Sequence, residues 1–263
     1  MWLFIWDVEP SKIFVGDTPI SKVFLWDTQI RPTWPDKDYL CFTAEQSSST
    51  VKLTKTWSPT AVTLETSTDW ITWATYTIWD TITLANVWDK VYWRNTSDTV
   101  TNFSTSSASS YYQFVMSWQI SASWDCNFLL CKNSTDTLPN SYCFVKLFKD
   151  CSVLVSAPSL LATTIKEYCY YYMFSGCSSL ATIPSLPAIT LKTTCYNRMF
   201  DYCSLIKLST TQTWEYQTAY RIPTSWTGTT GTNSLANMFY RTWWTRTGTP
   251  SVNTTYYTSN TVV

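Results

Sequence analysis

Apolar and polar residues alternate along most of the chain between about residues 38 and 125, a pattern that predicts β-strands. Val51 and Leu53, for example, flank Lys52, and runs of Ser, Thr, Asn or Asp separate one alternating stretch from the next. Six or more such strands at intervals of roughly 8–12 residues are typical of an antiparallel β-sandwich. The predicted strands lie around residues 39–44, 51–54, 62–65, 71–76, 82–84, 91–94 and 112–116.

A ten-residue repeat comes before this region and predicts short β-hairpins within residues 1–36. Residues 11–20 are followed in register by residues 21–30, and residues 3–7 form a third, partial copy. Three strand-forming residues in each full copy lead into Gly16-Asp17 or Trp26-Asp27. Gly-Asp is a hairpin-turn sequence because glycine accepts a positive φ without steric cost. These repeats resemble short N-terminal segments of phage structural proteins and bacterial surface proteins.

A second repeat, with a period of 26 residues, begins after residue 126. Its first cysteine is followed by a Phe five positions later and by a second cysteine eight positions later. A unit this short cannot bury its own apolar face, so stacked units with a shared core, a solenoid, are predicted. The predicted core residues are Cys143, Phe148, Cys151, Cys169, Met173, Phe174, Cys177, Leu180, Cys195, Met199, Phe200, Cys203 and Leu205.

The pattern Cys-Tyr-x-x-Met-Phe-x-x-Cys-Ser-x-Leu, followed by Ile-Pro-x-Leu-Pro, resembles the BspA-like leucine-rich-repeat family of bacterial surface proteins over residues 142–209. The resemblance implies a leucine-rich-repeat solenoid with a role in adhesion or surface display. Residues 212–233 interrupt the period, and Met238-Phe239 restores the motif late, which predicts a degenerate C-terminal capping unit. The predicted organisation is a hairpin-repeat segment (1–36), a β-sandwich-like domain (37–125) and a solenoid (126–263).

Glycine and tryptophan are present in unusual numbers. The chain has 5 Gly and 16 Trp, whereas average usage gives about 18 Gly in this length. Trp26 aligns with Gly16, Trp6 has the same place in the partial copy, and Trp-Asp recurs at 79–80, 88–89 and 124–125. We interpret these tryptophans as UGA codons that some bacterial lineages and their phages read as glycine. The alternative is a genuine tryptophan-rich ligand-binding surface, such as a carbohydrate platform.

Two groups of tryptophans extend this interpretation. Trp243-Trp244, between Arg-Thr and Thr-Arg, fits a Gly-Gly turn better than an aromatic pair. Trp73 and Trp93 alternate with other residues inside strand-like stretches, so they are interpreted as native tryptophan.

Charge and composition exclude several classes of function. Eighteen basic and 18 acidic residues balance, which argues against a nucleic-acid partner. The absence of histidine removes the commonest general base and metal ligand. No apolar stretch has the length of a membrane helix, and the apolar N-terminus lacks the basic segment of a signal peptide. We therefore expect no membrane insertion and no cofactor.

The cysteines allow three interpretations. Seven residues separate the two cysteines of each repeat, which is not a zinc spacing, and Cys126/Cys131 lacks a second ligand pair. Disulfides remain an alternative, although the count of nine is odd. Repetition at 26 residues favours small buried apolar residues that stack in two columns.

These observations favour a non-enzymatic surface-display, adhesion or binding protein. It is expected outside the cell, on a cell surface or on a virion, with a protein or glycan partner. A purely structural assembly protein, with possible homo-oligomerisation, is the alternative, and a carbohydrate-active protein with a tryptophan platform is a third. An enzyme of that kind needs two convergent carboxylates, but Asp80, Asp89 and Asp125 each have the sequence context of a turn.

Overall fold

The computed structural model describes residues 38–104, 107–242 and 248–263, and four short strands before residue 30. The chain divides into two compact units, Met1–Asp38 and Tyr39–Val263. The described residues are mainly β and contain no α-helix; one 3-10 turn lies at Cys126–Leu129. The prediction of a mainly β protein is therefore confirmed.

The first unit contains two antiparallel strand pairs. Strand β1 (Ile13–Val15) pairs with β2 (Thr18–Ile20), and β3 (Phe24–Leu25) pairs with β4 (Thr28–Gln29). The strands fall where the ten-residue repeat predicts them. The partial copy at residues 3–7, Gly16 and Trp26 lie outside the described residues.

The second unit begins with eight strands, and these follow the alternating stretches of the sequence. Their order in space gives one six-stranded sheet, completed by β13 (Leu154–Ser156), and one three-stranded sheet. The first sheet runs β13-β12-β5-β10-β7-β8 and the second β11-β6-β9; β13 pairs in parallel with β12, and the other neighbours are antiparallel. The eight strands are β5 (Leu40–Ala44), β6 (Ser49–Thr56), β7 (Leu64–Ser67), β8 (Ala74–Tyr76), β9 (Ile82–Leu84), β10 (Lys90–Asn95), β11 (Tyr111–Ser117) and β12 (Ile120–Ser123).

Aromatic side chains join the two sheets. The ring of Phe114 on β11 lies 4.8 Å from Phe42 and 5.2 Å from Trp93, which belong to the larger sheet. Phe114 also stacks on Phe148, 5.3 Å away, in the repeat region. The predicted boundary at residue 125/126 thus lies inside one compact unit whose core is continuous.

The repeat region is built from four turn units, residues 141–150, 167–176, 193–202 and 232–241. Within a unit, successive i→i+3 hydrogen bonds form, as from Val145 N to Tyr142 O. Alternate amides donate instead to the following unit: Phe148 N donates to Met173 O at 2.9 Å, and Phe174 N donates to Met199 O at 2.9 Å. The same bond therefore recurs 26 residues later, so neighbouring units stack in fixed register. The fourth unit accepts in the same way, from Phe200 N to Met238 O at 2.8 Å.

Short strands and the C-terminal tail cover one side of these units. β14 (Thr182–Ile183) pairs in parallel with β18 (Thr261–Val262), and β17 (Thr254–Thr258) lies between β15 (Leu208–Ser209) and β16 (Thr218–Ile222). The Asn260 amide, close to the C-terminus, donates to Ala181 O at 2.9 Å and Leu205 O at 3.0 Å. The tail therefore fastens successive repeats together.

One predicted core residue is wrong. Leu205 is 46% exposed, and its neighbour Ile206 is fully buried. Ile206 comes three residues after Cys203, as the buried Leu180 comes three residues after Cys177. The apolar pair Leu205-Ile206 hid which of its two members faces the core.

Leu205 and Ile206 offer a matched pair of variants. We expect Ile206→Ala to lower the free energy of unfolding by about 2–5 kcal/mol, because it leaves a cavity in a packed core. Leu205→Ala should change it by less than about 0.5 kcal/mol, since the side chain is largely in solvent. Urea unfolding of both variants measures the difference, and equal losses would contradict this assignment.

Candidate recognition surface

The repeated phenylalanines form one column through the turn units. The rings of Phe148 and Phe174 are 5.3 Å apart and 5° from parallel, and those of Phe174 and Phe200 are 5.6 Å apart and 3° from parallel. Phe239 extends the column by a further 5.3 Å. Apart from Leu205, every predicted core residue is buried. The structure therefore brings these residues together as the shared interior of the stacked units.

A second aromatic column runs beside the first, and sequence reasoning missed it. Phe144, Tyr170 and Tyr196 stack with ring separations of 6.1 and 5.5 Å, and all three are buried. The signal was present, because each of these residues directly follows the first cysteine of its repeat. Burial raises the pKa of the Tyr170 and Tyr196 hydroxyls well above their ordinary value.

The second cysteines of the repeats form a column of thiol hydrogen bonds. The Sγ atoms of Cys151, Cys177 and Cys203 donate to the carbonyls of Phe114, Phe148 and Phe174 at 3.0–3.1 Å. All nine cysteines are buried thiols. Burial raises the pKa of the Cys195 thiol to about 12, and that of Cys151, Cys177 and Cys203 also lies far above its ordinary value. Thiols that cannot ionise act here as small apolar residues with a weak donor.

The predicted turn carboxylates are engaged locally. Asp89 accepts from Asn86 N at 2.9 Å, Asp125 accepts from Asn127 N at 2.9 Å, and the Asp80 carbonyl accepts from the Tyr76 hydroxyl. Within the described residues, no group of three or more His, Cys, Asp or Glu side chains is arranged to hold a metal ion. The same residues include no helix with the length and apolar character needed to cross a membrane.

The outward-facing positions of the turn units follow a simple rule. Within each unit every fourth residue has a positive φ, as at Tyr142, Lys146 and Asp150 in the first unit. Nearly all of these residues are at least partly exposed, while most of the residues between them are buried. Units in register therefore place residues 26 positions apart next to each other on the surface. Lys146, Tyr172 and Arg198 form one such row, which Asn237 of the fourth unit continues.

Two arginines and three tyrosines from these rows meet on the surface. We call Tyr172, Arg198, Tyr202, Tyr240 and Arg241 the Tyr–Arg surface. The Arg198 guanidinium carbon lies 5.6 Å from the Tyr172 ring and 5.5 Å from the Tyr240 ring. The Arg241 guanidinium carbon lies 4.6 Å from the Tyr202 ring and 4.9 Å from the Tyr240 ring. Cation and ring alternate, which is a favourable arrangement for both.

A buried carboxylate positions Arg198. Asp201 is almost completely buried, and its Oδ2 accepts from Arg198 Nη1 at 3.1 Å. Burial raises the pKa of the Asp201 carboxyl, and the neighbouring Arg198 opposes that rise. Asp201 therefore fixes one edge of the guanidinium, and Arg198 remains partly exposed, with 34% of its side chain accessible.

Other tyrosines extend the aromatic character of this face. The rings of Tyr142 and Tyr168 stack at 4.6 Å, and Tyr171 contacts both Tyr168 and Tyr172 edge to face. Of the Tyr170-Tyr171-Tyr172 run, Tyr170 is buried in the core and the other two are half-buried at the surface. Sequence analysis missed this surface because it needs both the spacing of four within a unit and the register of 26 between units.

Comparisons of the chain with protein-family models, with curated proteins and with solved structures give no match.

Proposed function

We propose that this chain is a non-enzymatic recognition protein that uses the Tyr–Arg surface to bind carboxylate-bearing glycans on a cell surface. The alternation of two guanidinium groups with three tyrosine rings carries this proposal. Guanidinium groups bind carboxylates through paired, charge-assisted hydrogen bonds. Tyrosine rings offer apolar faces for the C–H groups of a sugar, and their hydroxyls offer hydrogen bonds.

The proposal includes the scaffold. The turn units, with their 26-residue register and shared Phe column, support a leucine-rich-repeat solenoid of the kind that the BspA-like motif implies. Residues from successive units then line one extended face, which suits a polymer better than a small molecule. A surface-displayed or virion-borne location, in which the β-rich N-terminal part acts as a spacer or assembly unit, agrees with such a role.

Replacing both arginines by asparagine tests the binding proposal. Asn tolerates a positive φ, and Asn237 already occupies the row that contains Arg198, so the double variant Arg198→Asn/Arg241→Asn should fold normally. We expect its affinity for carboxylated glycans to fall about tenfold or more for each arginine, because each loses a charged hydrogen bond. Glycan-array binding of the full chain, with acidic glycans and their neutral counterparts, measures this.

The controls separate charge at this surface from charge elsewhere. Lys132→Asn removes a positive charge from an exposed ion pair with Asp98, away from the turn units, and should leave binding unchanged. Neutral glycans that bind as well as acidic ones, or a double variant that binds like the parent, would refute the proposal. A defined oligomer in solution that covers the Tyr–Arg surface would instead favour the structural-assembly alternative.

A further inference from the structure

Six tryptophans of the second unit have a backbone conformation that favours glycine. Their φ angles lie between 53° and 85°. A left-handed conformation brings Cβ close to the following carbonyl oxygen, so a bulky residue there is an outlier and glycine is the usual occupant. The six residues are Trp57, Trp70, Trp79, Trp88, Trp118 and Trp124.

Two of these tryptophans lie in turns whose geometry calls for glycine. Asp80 N donates to Thr77 O at 3.0 Å, which closes a four-residue turn with Trp79 in its third position at a φ of 85°. Asp89 N likewise donates to Asn86 O at 3.3 Å, with Trp88 third at a φ of 72°. A positive φ at the third position is the requirement that places glycine in type II turns.

The indole rings at these sites contribute little to packing. Trp57, Trp79, Trp88 and Trp118 are 56–80% exposed. Trp93, in contrast, is fully buried and contacts the rings of Tyr76, Phe42 and Phe114. The tryptophans therefore fall into two classes, one that fills the core and one that follows a backbone requirement.

The distribution of left-handed residues points the same way. Outside the turn units, nine described residues other than glycine have a positive φ, and six of them are tryptophan; the others are Ser48, Ser134 and Asn253. Residues 17–175 contain no glycine at all, although this stretch includes most of the strand-connecting turns. Serine and asparagine tolerate this conformation far better than tryptophan does.

We infer that the natural protein carries glycine at positions 57, 70, 79, 88, 118 and 124, through UGA codons that its own translation system reads as glycine. Positions 57, 70 and 118 are identified by backbone geometry alone, since none of these tryptophans precedes an aspartate. The exposed indoles then form no carbohydrate platform. This inference stands independently of the proposed glycan binding.

Peptide mass spectrometry of the protein purified from its natural source tests the inference directly. The expected result is glycine at all six positions and tryptophan at position 93. Tryptophan at the six positions would overturn it.

Thermal unfolding of the tryptophan-bearing chain provides a second test. Replacing each of the six by glycine should raise Tm by about 2–4 °C, because the strain of a left-handed bulky residue is removed. Trp214→Gly is the matched control: Trp214 is 87% exposed but has no positive φ, so its replacement should give no rise. A sextuple variant whose Tm does not exceed that of the parent would also overturn the inference.

Discussion

Phe174→Ala is expected to lower the free energy of unfolding by about 3–5 kcal/mol, a large part of the stability of an ordinary domain. Phe174 is completely buried and stacks between Phe148 and Phe200, so its removal opens a cavity and leaves both of these rings without a stacking partner on that side. The flanking units are held in register by backbone hydrogen bonds and cannot collapse easily onto the space. Urea denaturation, with the unfolding slope compared between variants, measures the loss.

Phe174→Leu serves as the milder control for the same site. It keeps most of the apolar volume and should cost clearly less than the alanine variant. An alanine variant that loses less than about 1 kcal/mol would mean that Phe174 is not enclosed between two neighbouring rings.

Raising the pH from 8 to 10 under reducing conditions is expected to remove most of the stability. Burial raises the pKa of seven thiols, so the folded chain keeps protons that the unfolded chain releases above the ordinary thiol pKa of 9.0. Each thiol then contributes a loss of about 1.4 kcal/mol by pH 10, and together they approach about 10 kcal/mol. The seven thiols are Cys126, Cys143, Cys151, Cys169, Cys177, Cys195 and Cys203.

The sign follows from the proton counts of the two states. Below the unfolded pKa both states are fully protonated at these thiols, and the stabilising effect is complete. As the pH rises past that value, only the unfolded state gains by ionising, so stability falls. The double variant Cys177→Ala/Cys203→Ala removes two titrating groups and should flatten the slope of stability against pH. A stability that stays constant between pH 8 and 10 would contradict the buried-thiol assignment.

Much of the β-rich part could be predicted from the sequence, because alternation directly reports which face of a strand is buried. Val51 and Leu53 on β6 are both buried, and the predicted stretches around residues 82–84 and 91–94 both became strands. The repeat spacing also identified Phe148, Phe174 and Phe200 as equivalent residues. In these cases the physical signal lies within a few neighbouring residues or at one fixed period.

The remaining features depend on contacts that no local pattern encodes. The pairing of β12 with β13 joins the predicted sandwich to the repeat region, and nothing near residue 125 signals this continuity. Leu205 and Ile206 are equally apolar, so burial chose between them through the register of the stack. The Tyr–Arg surface arises only when Arg198 and Tyr240 come together from units interrupted by a long insertion.

The stacking of the turn units into one column is tested most directly by double-mutant cycles with leucine at Phe148, Phe174 and Phe200. Adjacent rings contact each other, so the pairs 148/174 and 174/200 should show coupling energies of about 0.5–1.5 kcal/mol. Phe148 and Phe200 are separated by Phe174, and their variants should be additive within about 0.5 kcal/mol. Additivity in all three pairs, or equal coupling in all three, would contradict the column.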